Sequence, residues 1–114
     1  MPEFVKLVVF VPVTHAAKIR AALAKSGAGH IGDYDSCSFS VKGIGRFRPL
    51  AGSKPFIGKE DALESVEEER IETIVAKDEL AKVLKEVRRA HPYEEPAIDV
   101  YPLLAIGKVY KPIR

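Results

Sequence analysis

The pattern of hydrophobic and polar positions predicts four strands along the chain. Residues 4–11 form a nearly continuous apolar run rich in β-branched side chains, which is typical of a central strand, and Pro12 closes it. Strict alternation over residues 36–42 predicts a second strand. Residues 65–75 and 97–103 carry the two further strand patterns, and the tail toward Arg114 is expected to add a short fifth strand.

Two segments carry the spacing of amphipathic helices. The first, after Pro12, has one stripe of small and apolar side chains: Ala16, Ile19, Leu23 and Ser26. Thr14 is predicted to cap its start, and Gly27 stands where a left-handed residue ends a helix. The second has apolar positions at i, i+3, i+4 and i+7: Leu80, Val83, Leu84 and Val87. Asp78 is predicted to cap this helix and Pro92 to end it.

The order of these elements predicts an α+β fold of the ferredoxin-like βαββαβ type, with an antiparallel sheet and two helices on one face. A long loop at about residues 43–64, rich in glycine and proline, separates the two halves, and long ordered loops often carry function. No element is predicted to cover the other sheet face, although its strands are rich in Val, Ile and Phe. We therefore expect the chain to associate with copies of itself.

Composition limits the classes of function. A chain of 114 residues with 46% hydrophobic and 30% charged residues fits one folded domain, residues 1–114. The net charge of +2, from 18 basic and 16 acidic residues, is too balanced to indicate nucleic-acid binding. The apolar run at residues 4–13 is too short to cross a bilayer, and Lys6 interrupts it. Cys37 has no partner for an intrachain disulfide, so we expect a soluble protein in the cytoplasm.

A literal GxGxxG motif spans residues 27–32. A dinucleotide-binding fingerprint must follow a strand and open a helix, so that the helix N-terminus meets the pyrophosphate. Here the motif follows a predicted helix and precedes a predicted strand. It is better interpreted as a glycine-rich turn.

Residues 91–96, His-Pro-Tyr-Glu-Glu-Pro, hold the densest set of candidate ligands. Two prolines fix the backbone, so His91, Glu94 and Glu95 project from a rigid corner with little entropy to lose. Imidazole and carboxylate together suit a divalent ion of the Zn or Cu type, and His30 and Cys37 could add ligands. The alternative is a rigid corner whose carboxylates face water, with Cys37 as a small buried hydrophobe.

The long loop also holds cationic side chains among its glycines. Arg46, Arg48 and Lys54 could bind an anion, and Tyr93 of the rigid corner joins Arg46 and Arg48 as a candidate ligand contact. A plain charged loop is the alternative. Residues 67–69, three glutamates, are predicted to be a solvated strand end or to protect a sheet edge.

Three stretches together resemble one known domain. They are residues 27–39 (GAGHIGDYDSCSF), residues 43–49 (GIGRFRP) and residues 91–96 (HPYEEP). They resemble the domain inserted in bacterial YqfO-type proteins of the Nif-three-like family, here without its flanking domain. The resemblance covers about residues 4–103, and Asp33 stands where that pattern more often has Asn.

The resemblance implies a PII-like or CutA-like trimer. The stretch from His91 to Glu94 also resembles the corresponding CutA segment, and CutA is associated with divalent-cation tolerance. In PII-like folds the loop after the second strand carries ligand and partner contacts, which would be residues 43–64 here. The dinuclear metal centre and the cyclohydrolase label of the full-length family belong to the flanking domain, so neither is carried over.

Three functions remain open. The first is a non-catalytic oligomeric module that binds a small ligand or divalent metal, possesses no catalytic residue and can meet a protein partner through its long loop. The second is a small enzyme that uses His91 with Glu94 or Glu95 as acid and base. The third is a purely structural assembly domain.

Overall fold

The computed structural model describes residues 3–107, so the fifth strand predicted toward Arg114 lies outside the described residues. The strands are β1 (Phe4–Pro12), β2 (Phe39–Phe47), β3 (Glu64–Ala76) and β4 (Ile98–Leu103). The α-helices are α1 (Ala16–Lys25) and α2 (Leu80–Ala90), each entered through a short 3-10 helix at Val13–His15 or Lys77–Glu79. Within the described range, no helix has both the length and the hydropathy needed to cross a membrane.

The strands form one antiparallel sheet in the order β2-β3-β1-β4. A helix follows β1 and another follows β3, which is the ferredoxin-like βαββαβ topology. The predicted fold class is confirmed. In this order β1 and β3 are central, and β2 and β4 are the sheet edges.

One sheet face packs against both helices and forms the hydrophobic core. Its members come from alternate positions of the two central strands and from the predicted helix stripes: Val5, Leu7, Val9, Val11, Ala16, Ile19, Leu23, Ile71, Val75, Val83 and Val87. Each fully buried Val, Leu or Ile contributes about 1.5–3 kcal/mol relative to an exposed one. The apolar run of residues 4–11 and the helical periods therefore predicted the core, whereas the alternating strand β2 contributes no residue to it.

The second strand is longer than predicted and displaced along the chain. It runs to Phe47 because its pairing with β3 continues through Gly43 and Gly45, opposite Glu68 and Val66. Because glycine has no side chain, the alternation of apolar and polar residues is not visible at these positions, although their backbone groups pair normally. The loop that follows is therefore residues 48–63 rather than 43–64.

Neither helix begins with the predicted side-chain cap. The chain enters α1 and α2 through 3-10 turns, and no side chain bonds to the first free N–H groups of either helix. The hydroxyl of Thr14 instead contacts Nδ1 of His15 at 2.9 Å, so the caps predicted at Thr14 and Asp78 are wrong. The predicted helix ends are confirmed, since Gly27 has φ +102° and α2 stops at Ala90, before Pro92.

The glycine-rich motif is a turn, as its sequence context indicates. Gly29 has φ +79°, and its N–H donates to the carbonyl of Ile74 on β3 at 2.7 Å. A Cβ at Gly29 would lie 2.7 Å from the backbone nitrogen of Cys37, closer than real contacts allow. Position 29 therefore requires glycine for both its conformation and its space.

The sheet face opposite the helices is partly covered, contrary to the prediction. Toward the end of β1, the loop of residues 48–63 and the turn of residues 92–97 lie over it and contact each other. Elsewhere this face is open: on β2, Phe39 is 67% exposed and Val41 48% exposed. We call this outer side of the sheet the open face.

Candidate functional site

His91 joins the end of α2 to the central strand β1. Its ring is buried, with 7% of the residue exposed. The backbone N–H of Tyr93 donates to Nδ1 at 3.1 Å, so Nδ1 carries no proton. The proton of the neutral ring is therefore on Nε2, which donates to the carbonyl oxygen of Phe10 at 2.7 Å.

This arrangement keeps His91 neutral. Burial lowers the pKa of His91 below its ordinary 6.5, opposed by the Phe10 hydrogen bond and by the charge of Glu68, while the charge of His15 lowers it further. Both ring nitrogens are already bonded, so metal binding or acid–base work by His91 would first break one of these hydrogen bonds. The geometry supports a structural role for this histidine.

Tyr93 extends the same network to the sheet. Its hydroxyl donates to Oε2 of Glu68 at 2.9 Å. Burial raises the pKa of Tyr93 above its ordinary 10, and the hydrogen bond and charge of Glu68 raise it further. The phenol therefore stays protonated and acts as a hydrogen-bond donor. Its ring also meets Phe47 at 5.7 Å and Phe56 at 6.5 Å between centroids.

Glu68 is a buried carboxylate rather than part of a solvated strand end. It lies in the middle of β3 with 8% of the residue exposed, and a Cβ at Gly45 would collide with its carboxylate. Glu69, on the helix side, is equally buried and pairs with Arg20 at 2.6 Å. Of the three glutamates, only Glu67 is exposed as predicted.

Tyr93 and Glu68 border a cavity of about 540 Å³, a size that suits a small-molecule site. The strands, the loop and the rigid corner all contribute to its lining: Phe10, Gly45, Arg46, Phe47, Arg48, Pro49, Leu50, Ser53, Pro55, Phe56, Ile57, Glu68, Tyr93, Glu94, Glu95 and Ala97. The cavity combines an aromatic wall with a buried carboxylate. We call it the end pocket.

The three predicted ligand contacts all border the end pocket. Tyr93 presents its ring and hydroxyl there. Arg48 also lines the pocket while pairing with Asp61 at 3.0 Å, an exposed pair that contributes little stability. Arg46 lies between Gly45 and Phe47 on β2, and alternation directs its side chain to the opposite sheet face, so its backbone faces the pocket.

The structure does not bring the five predicted metal ligands together within one chain. Glu94 and Glu95 line the end pocket, where Glu94 accepts a hydrogen bond from the Lys54 N–H at 2.9 Å. Cys37 and His30 instead lie beside the other end of β3, where the Thr73 hydroxyl bonds to the Cys37 carbonyl oxygen.

The distance along β3 explains this separation. Thr73 and Glu68 are five positions apart, roughly 16 Å along a strand. Cys37 is half-exposed rather than buried, and His30 is exposed. Across residues 3–107, no cluster of three or more His, Cys, Asp or Glu side chains could hold a metal ion. A metal site shared with a neighbouring subunit stays a prediction.

Sequence reasoning missed the aromatic wall and the buried carboxylate of the pocket, which are formed by Phe10, Phe47, Phe56 and Glu68. Phe10 and Phe47 look like ordinary strand residues, and Phe56 lies in a loop without a period. The available signal was the pairing of two strands: β3 carries three consecutive glutamates, and β2 carries glycines at positions 43 and 45. Gly45 leaves the space that the Glu68 carboxylate occupies. That signal needs the register of β2 and β3, which the sequence did not supply.

The chain has a CutA-like fold. The solved structure of the periplasmic divalent cation tolerance protein CutA from Archaeoglobus fulgidus matches with a TM-score of 0.66, covering 92% of this chain and 88% of that one. Sequence identity is 18%, so this likeness shows the fold alone. CutA from Synechococcus elongatus matches equally well, at 14% identity and a TM-score of 0.66.

Closer relatives are longer proteins. The GTP cyclohydrolase 1 type 2 homologs of Halalkalibacterium halodurans and Bacillus subtilis are 55% and 50% identical over 90% and 86% of this chain. The chain spans only 28% and 26% of their lengths. A solved Bacillus cereus protein related to NIF3 is 53% identical, with a TM-score of 0.78, over 90% of this chain and 26% of its own.

These relatives confirm the resemblance to a domain of Nif-three-like proteins. No protein-family model matches the chain. The likeness covers about a quarter of each longer relative, so it identifies this chain with one part of such proteins and carries no activity of the whole.

Proposed function

We propose that the chain is a non-catalytic module that binds a small ligand in the end pocket and works as a homotrimer. The observation that supports this most is the convergence of Arg48, Tyr93 and Glu68, from three separate segments, on one cavity. The hydrogen bond between Tyr93 and Glu68 holds these two side chains in place before any ligand arrives, and a preformed site loses little entropy on binding.

The trimer is proposed from the open face. Phe39 and Val41 of the edge strand β2 and Tyr101 of β4 are exposed on it. Large apolar side chains exposed on a sheet face favour association, and closed cyclic symmetry is the usual way to cover them. The sheets would then face inward. Oligomerisation through this face leaves the helices outside.

A cytoplasmic location is part of the same proposal, because the free thiol of Cys37 suits a reducing compartment.

The protein partner predicted for residues 43–64 also stays a prediction, and the loop residues that line the end pocket would link ligand to partner. The CutA neighbours are named for divalent-cation tolerance, so a bound metal ion is retained as an alternative outcome of the test below.

Native mass spectrometry of freshly purified protein tests both parts, since it reports subunit count and bound mass together. We expect three chains and one small organic molecule per chain. Phe56→Ala removes one aromatic wall of the pocket and should lower ligand retention. Leu63→Ala is the control, because Leu63 is exposed in the same loop and does not line the pocket.

Three results would contradict the proposal. A monomeric mass at micromolar concentration would refute the trimer. Equal ligand retention by Phe56→Ala and Leu63→Ala would place the ligand outside the end pocket. A bound mass equal to one divalent ion, with no organic molecule, would instead indicate that the module binds a metal ion.

A further inference from the structure

The carboxylate of Glu68 has an unused acceptor that faces the end pocket. Its Oε2 accepts one hydrogen bond, from the neutral hydroxyl of Tyr93. From residues 3–107 its Oε1 receives none, although a carboxylate can accept about four hydrogen bonds. Among the described residues, every fully buried side-chain oxygen or nitrogen has a partner, so Oε1 must keep access to the cavity that Glu68 lines.

No cation of the described residues neutralises Glu68. Two arginines near this end of the sheet are already paired, Arg70 with Glu72 at 3.0 Å and Arg48 with Asp61 at 3.0 Å. Both nitrogens of His91 are used in its neutral form. A carboxylate held out of water without a counter-charge is costly, so a cation supplied by a ligand would stabilise it.

The walls around this acceptor are aromatic. Phe47 and Phe56 both contact the Tyr93 ring, and Phe10 lines the same cavity, although the guanidinium of Arg70 already lies over the Phe10 ring at 5.5 Å from its centroid. The faces of aromatic rings attract cations, and the attraction increases when the cation is desolvated. A carboxylate among aromatic rings is therefore suited to an ammonium group attached to an apolar body.

We infer that the end pocket binds a small organic amine, with its ammonium group on Oε1 of Glu68 and its apolar body among Phe47, Phe56 and Tyr93. This assignment rests on the proposed ligand-binding function and adds the chemical class of the ligand. The carboxylates of Glu94 and Glu95 border the same cavity, and Arg48, which also borders it, is already paired with Asp61, so the lining favours a cation over an anion.

Three compounds of matched size test the charge of the ligand: phenethylamine, the neutral phenethyl alcohol and the anion 3-phenylpropanoate. Each is titrated into the intact chain at pH 7 by calorimetry and by NMR of the aromatic side chains. We expect saturable binding of phenethylamine, with shifts at Tyr93 and Phe47. Binding of the alcohol and the anion should be about tenfold weaker or more, the ratio typical of a charge-assisted hydrogen bond.

Glu68→Gln identifies the group responsible. The amide oxygen can still accept from Tyr93, while the negative charge is lost, so phenethylamine should bind about tenfold more weakly or worse. Glu67→Gln is the matched control, because Glu67 is the exposed neighbour on the opposite face of β3 and should leave binding unchanged. Circular dichroism and melting temperature verify that both variants fold.

The inference is overturned if the anion binds as tightly as the amine, if Glu68→Gln binds the amine as wild type does, or if phenethylamine shows no saturation at millimolar concentration. The comparison of the three compounds needs only the wild type, so it stands even if Glu68→Gln fails to fold. Tight binding of the anion at the Tyr93 and Phe47 signals would overturn the amine class and leave the ligand-binding function intact. Failure of that function would instead appear as no retained organic mass in native spectra.

Discussion

His91→Ala removes the connection between α2, β1 and the rigid corner. The substitution leaves the Phe10 carbonyl oxygen and the Tyr93 N–H without the partners they have at 2.7 and 3.1 Å. Each lost hydrogen bond costs about 0.5–1.5 kcal/mol, and the unfilled space of a buried ring adds about 1 kcal/mol. We therefore expect the free energy of unfolding to fall by about 2–4 kcal/mol, which corresponds to roughly 8–15 °C in melting temperature.

Urea unfolding followed by circular dichroism at pH 7 measures this change. His30→Ala is the control, because His30 is exposed and should cost no more than about 0.5 kcal/mol. A metal site at His91 predicts the opposite order of effects, with metal retention falling more than the melting temperature. If His91→Ala is as stable as His30→Ala, the structural role assigned to His91 is wrong.

Two further predictions concern stability. Because burial, aided by the charge of His15 and opposed by that of Glu68, lowers the pKa of His91, the unfolded state takes up this proton first. The stabilising contribution of neutral His91 is therefore complete above the ordinary pKa of 6.5 and is lost as pH falls below it. Urea titrations should show the free energy of unfolding decline with falling pH, and the decline should be smaller in His91→Gln. Gly29→Ala should cost about 2–4 kcal/mol by thermal or urea unfolding, from its positive φ and the missing space.

Each of these has its own check. A decline below pH 6.5 that is equally steep in wild type and His91→Gln would assign it to other groups. Gly43→Ala is the control for Gly29→Ala, because a Cβ at Gly43 meets no atom within 4 Å and the backbone there has no positive φ. We expect Gly43→Ala to stay within about 0.5 kcal/mol of wild type, and comparable losses from the two variants would refute the steric explanation.

The sequence by itself determined the elements and the core, because hydrophobic period is a local property. The nearly continuous apolar run in residues 4–11 marks a central strand, and the stripe that includes Val83 and Val87 marks the side of the helix that avoids water. The helix ends at Gly27 and before Pro92 were also predictable, because the backbone preferences of glycine and proline are local. Cap residues were not determined, since the chain enters both helices through 3-10 turns and the Thr14 hydroxyl bonds to the neighbouring His15 instead.

Only the tertiary structure decided how the chemical groups combine. The hydrogen bond from His91 to Phe10 spans 81 positions of the chain, and the one from Tyr93 to Glu68 spans 25. Such contacts depend on the register of β2, β3 and β1, which fixes that Glu68 faces Gly45 and the pocket while Glu69 faces Arg20 and the helices. Since one residue of register turns every side chain to the other face, a local pattern could suggest ligands at His91 and Cys37 but could not show that His91 bonds to Phe10 of β1 while Cys37 lies beside Thr73 of β3.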